Sequence, residues 1–78
     1  PKGVNIDNFS REIAKTLEEG RISGAYHKLI IVLAPKLNGL VSQHMNKQVK
    51  NKVSYNIPKD LTHLEQFELF NYLVKYIG

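Results

Sequence analysis

The chain has 78 residues and carries a formal charge of +4, with 42% hydrophobic and 23% charged residues. That is the composition of a single small globular domain, and it excludes disordered and collagen-like chains. No cysteine is present, which excludes a disulfide scaffold, a thiolate metal site and a thiol nucleophile. No apolar run reaches the ~18 residues of a membrane span. No cleavable signal pattern is read at the start, and the expected location is cytoplasmic. The charge is unevenly placed. Acidic residues occur only up to Glu19 and again from Asp60, so Arg21 to Lys59 is a purely basic stretch. Such a stretch suits either a solvated face or an anion-binding one.

In chain order, Ile6, Phe9, Ile13 and Leu17 recur at helical spacing with charged residues between them. A first helix is predicted from Asn5, with Asn5 or Asp7 capping its start and Gly20 in the left-handed position after its end. A turn containing Gly24 follows. Leu29 to Ala34 is continuously apolar and closed by Pro35, the pattern of a strand covered on both faces within a parallel sheet. Leu37, Leu40, Val41, Met45 and Val49 return to helical spacing, with a break expected near Ser42. Val53, Tyr55 and Ile57 alternate with polar residues as in a half-exposed strand ended by Pro58. Thr62 and Glu65 have the S/T-x-x-E spacing of a capping box. They precede an apolar face of Leu64, Phe67, Phe70, Leu73, Val74 and Ile77, which predicts a well-buried last helix.

The expected fold class is therefore α/β, one domain over residues 1–78 in the order helix, strand, helix, strand, helix. Its centre is a right-handed parallel strand–helix–strand unit. Two strands are too few for a doubly covered apolar strand. The expectation is a larger sheet, completed by a missing N-terminal half, by another protein chain, or by a homo-oligomer formed through the open sheet edge. A start at Pro1 rather than Met agrees with an incomplete chain.

The runs Phe9 to Ala14, Leu29 to Pro35, Leu37-Asn38-Gly39-Leu40 and Lys59-Asp60-Leu61-Thr62-His63 together resemble the bacterial family of proteins required for attachment to host cells. That family is in turn distantly similar to the α/β domains of eukaryotic peptide-chain release factors. The resemblance implies that this chain corresponds to the C-terminal half of a longer family-type domain. It also implies a role in host association. Two departures matter. Val41 stands where the family usually has arginine, which weakens an anion site built there. No Gly-Gly-Gln occurs, so the release-factor likeness implies no hydrolase.

In an open parallel sheet, ligands bind beyond the carboxyl ends of the strands. Two segments reach that rim, placing Lys36 and Asn38 after the first strand and Lys59, Asp60, Thr62 and His63 after the second. Their other reading is ordinary turn and cap chemistry. On one continuous helix Lys36, Gln43, Lys47 and Lys50 would fall within about a 60° arc, a basic ridge with Lys47 and Lys50 at its centre. Neither phosphate-binding glycine motif is present. His27, His44 and His63 lack metal-ligand spacing, so neither cofactor nor metal is expected. A Ser42, His63 and Asp60 grouping has no accompanying nucleophile elbow. The expected function is a non-enzymatic host-attachment module working through protein contacts. The alternative is an RNA- or ribosome-associated module binding phosphates through its basic middle.

Overall fold

A computed structural model describes residues 5–77; the expectation drawn from Pro1 lies outside them. The elements in order are α1 (Ile6–Ile22), β1 (Leu29–Val32), α2 (Pro35–His44), α3 (Lys47–Lys50), β2 (Val53–Ile57) and α4 (Gln66–Ile77). The order and the α/β class agree with the sequence reading, and β1 and β2 pair in parallel.

Helix α1 begins where the Asn5 side chain accepts the Asp7 amide at 2.8 Å, which satisfies one of the orphan donors of the first turn. Its buried line is Ser10 and Ala14, not the bulky stripe that periodicity suggests. Ile13 and Leu17 pack beside the core, while Ile6 and Phe9 stay largely exposed. Small residues on the contact line let α1 approach α2 closely, and the Ser10 hydroxyl is satisfied by the Asp7 carbonyl at 2.6 Å. The helix runs past Gly20 to Ile22. The left-handed turn is taken by Gly24, at φ +73°, because glycine meets no Cβ penalty there. Gly20 instead makes room for the ring of Tyr26, whose hydroxyl donates to the Leu17 carbonyl.

Strand β1 is shorter than the apolar run that contains it. Ile31 is buried among Ala14, Val41, Met45 and Val49, with Leu29, Leu33, Leu37 and Val53 around them. Ile30, on the opposite face, is 43% exposed. The expectation of a strand covered on both sides is thus met on one side only. Helices α1, α2 and α3 pack on the Ile31 face of the sheet, and α4 meets the other face where Tyr76 packs on Tyr55. The sheet has two strands among the described residues. Its pairing shifts between Leu29 and Ile30, so Ser54 is an extra residue in β2, a bulge that increases local twist. Val53 and Tyr55 are half-buried and Ile57 is fully buried, whereas Ser54 and Asn56 are exposed, but the bulge puts Val53 on the core face with Leu29 and Tyr55 on the other face with Ile30, so the residues expected to share one face do not.

The helix after Pro35 stops at His44, later than the break expected near Ser42. Met45 turns to extended backbone and Asn46 caps α3, accepting the Val49 amide at 2.8 Å. Helix α4 departs most from expectation, since none of its residues is buried. It meets the sheet through Tyr76, which packs edge-on against Tyr55 with ring centroids 5.9 Å apart. Phe67, Phe70, Val74 and Ile77 point away from the sheet into solvent. An apolar helix face signals that burial is favourable; it does not say which surface does the covering.

Candidate binding surfaces

The carboxyl ends of both strands open into a cleft of about 280 Å³. Its floor is apolar, formed by Leu33, Ala34 and Leu37, and its lip carries Lys59, Asp60 and Thr62. The cleft lies where β1 passes directly into α2 and β2 ends at Pro58, with the Leu33 amide donating to the Ile57 carbonyl at 3.2 Å. Of the six rim residues read from the sequence, these three converge.

The other three do not line it. Asn38 is a helical residue of α2, 6% exposed, and its side-chain amide donates to Asn56, tying α2 to β2. Lys36 is exposed in the first turn of α2, and His63 is exposed beside Asp60. The Asp60 carboxylate accepts both the amide and the hydroxyl of Thr62, at 3.0 and 2.5 Å. Those two bonds, with the nearby His63, hold its pKa below the ordinary aspartate value. A carboxylate so stabilised is a poor general base. The Lys59 ammonium lies 5.7 Å from the Tyr72 ring centroid, within cation–π range. The cleft thus offers an apolar floor, one ammonium and one carboxylate.

Thr62 is engaged by Asp60 and does not cap α4. The cap is shifted by three residues: the Glu68 carboxylate reaches back to accept the Glu65 amide at 3.0 Å.

A second polar site joins α1 to α2 and went unseen in the sequence. Asp7 bridges two partners, accepting Arg11 Nε at 2.9 Å and meeting His44 Nε2 at 2.8 Å. Further along, Glu18 accepts Arg21 Nε at 2.6 Å and also bonds the Asn46 side-chain amide. Arg11, Lys15, Glu18, His44 and Asn46 line a shallow pocket of about 300 Å³ between these clamps. The His44 and Arg11 bonds lower the Asp7 pKa. The Arg21 bond, helped by Asn46, lowers that of Glu18 against an opposing effect of burial. The stabilisation from both carboxylates is therefore full above their ordinary range and is lost as pH falls through the lowered values. Asp7 in the first turn of α1 and His44 in the last turn of α2 each suit their helix dipole. That was the one local hint; their pairing across 37 positions had none.

The basic ridge does not form as one helical face. Its arc presumes an unbroken helix, and the chain turns at Met45 and Asn46, so Lys36 lies on α2 while Lys47 and Lys50 lie on α3. All three are exposed. Ser42 lines a separate shallow pocket with Lys50 and Asn56, away from the cleft that holds Asp60. Val41, which replaces the arginine usual in the family of the sequence likeness, is completely buried in the core. Among the described residues no helix is long and apolar enough to cross a membrane.

A protein-family model described as "Protein required for attachment to host cells" matches residues 1–73. No curated protein and no solved structure matches the chain, and the distant likeness to release-factor domains gains no support there.

Proposed function

The chain belongs to the family of proteins required for attachment to host cells, and on that premise we propose that it serves attachment without catalysis, as a module that binds another polypeptide. The observation that carries this reading is the free outer edge of β1. Leu29 and Leu33 direct their amides to Lys52 and Ile57, at 2.9 and 3.2 Å. Strand alternation therefore sends the backbone groups of Ile30 and Val32 to the opposite edge, where no strand pairs with them among the described residues. An unpaired edge beside a half-exposed isoleucine is a template for strand addition. The occupant we infer is an extended segment of a partner protein. It would supply main-chain hydrogen bonds to Ile30 and Val32 and bring a side chain onto Ile30. The apolar cleft at the strand ends lies next to this edge and would extend the contact.

Replacing Ile30 tests the reading, because its amide lies outside the β1–β2 ladder. Ile30→Pro removes the outer donor, and Ile30→Lys places a charge on the edge. In a strain lacking the gene, complementation with either variant is expected to lose most of the attachment to host cells that the wild-type gene restores. Ile30→Val should retain it, and circular dichroism of the purified variants should show the fold intact. Full attachment by a folded Ile30→Pro variant overturns the proposal. If attachment is lost instead in Lys36→Glu, Lys47→Glu, Lys50→Glu, together with salt-sensitive RNA binding, the phosphate-binding alternative takes its place.

A further inference from the structure

We propose that α4 is a dimerisation helix, pairing antiparallel with α4 of a second copy of this chain across a two-fold axis level with Tyr72. This surface is distinct from the β1 edge. The exposed apolar residues of α4 are Phe67, Phe70, Val74 and Ile77, at 74%, 62%, 51% and 40% exposure. Their spacing of three, four and three is that of alternating a and d positions in a heptad seam. Leu73 widens the seam, and with Phe70, Val74 and Ile77 it lines an apolar groove of about 380 Å³.

The second copy is selected by the symmetry of this pattern. Positions 67 and 77, and positions 70 and 74, are equally spaced about position 72. An antiparallel two-fold therefore sets each phenylalanine against an aliphatic residue, Phe67 against Ile77 and Phe70 against Val74, twice over. That is the self-complementarity an isologous interface requires. Charge agrees with it. Glu68 and Lys75 lie on one flank of the seam, and antiparallel pairing brings the Glu68 level of one copy close to the Lys75 level of the other. A parallel pairing would set like against like at each level. No charged residue interrupts the seam itself.

Sedimentation equilibrium over a range of concentrations, on the full chain, gives the test. The wild type is expected to pass reversibly from monomer to dimer. Phe70→Glu puts a charge in the middle of the seam and should raise the dissociation constant by about 30-fold or more. Because Phe70 is mostly exposed, the fold should survive. Lys75→Glu, which leaves the Glu68 cap in place, should weaken the dimer by setting like charges at the same level. The chain has no cysteine, so single cysteines report orientation. Asn71→Cys, near the axis, should form a disulfide-linked dimer on oxidation, and Lys75→Cys alone should not. Ile30→Pro should dimerise as the wild type does, which separates this proposal from the edge reading. A wild type that remains monomeric at millimolar concentration, a dimer indifferent to Phe70→Glu, or efficient self-linking of Lys75→Cys would each overturn it.

Discussion

Two glycines lie inside helices, and their surroundings give them opposite roles. A Cβ on Gly39 would meet nothing within 4 Å, whereas one on Gly20 would lie 2.9 Å from Cε2 of Tyr26. The Tyr26 ring cannot easily give way, since its hydroxyl is held by the Leu17 carbonyl. Alanine gains about 0.5–1 kcal/mol over glycine in a helix interior. Gly39→Ala is therefore expected to raise unfolding stability by about that amount, measured in urea. Gly20→Ala should show no gain and a net loss. In a Tyr26→Ala background the same change at Gly20 should become stabilising, because the clash has gone. The sequence marks Gly20 as a helix stop, and local rules favour that reading. They have no access to a ring that folds back from six residues further on. The same limit applies to Asn38, which reads as a turn residue at a ligand rim and is instead buried against Asn56.

At the level of elements, helix starts are governed by which side chain captures which amide, and neighbouring candidates compete. Thr62 and Glu65 have the right spacing for a cap, but Asp60 takes both the amide and the hydroxyl of Thr62. The first turn of α4 falls to Glu65 and Glu68, three residues on. Glu68→Ala is thus expected to destabilise α4 by about 0.5–1 kcal/mol, with Glu68→Gln nearly neutral because an amide oxygen can still accept. Thr62→Ala should leave α4 helicity unchanged. Helical chemical shifts across residues 66–70 provide the readout; equal losses in the Thr62 and Glu68 variants would return the cap to Thr62. Periodicity located every helix and both strands, because spacing is a local property. It placed α1 and α4 less well, because the buried face of a helix is chosen by what it meets. The approach of α2 favours the small Ser10 and Ala14 over the bulkier Phe9, and among the described residues no element covers the outer stripe of α4.

For the whole molecule, these faces divide the fold into regions of unequal stability. The core of Ala14, Ile31, Val41, Met45 and Val49 joins α1, β1, α2 and α3 on one side of the sheet. The Asp7–His44 and Glu18–Asn46 contacts close that layer along its seam. On the other side α4 contributes no buried residue, and one edge-on tyrosine contact, Tyr55 with Tyr76, and the cation–π contact of Lys59 with Tyr72 tie it to the rest of the chain. Opening α4 exposes little that water does not already reach, so its local opening free energy is low compared with global unfolding. Amide hydrogen exchange is therefore expected to be fastest in α4 and slowest in β1 and α2. Raising the protein concentration should slow exchange in α4 far more than in β1, because a ligand that binds only the closed helix protects it by mass action. Here that ligand is the second copy. Uniform protection across all four helices at low concentration would show that α4 is part of the cooperative core, and the free energy available for pairing through its outer face would have to come from elsewhere.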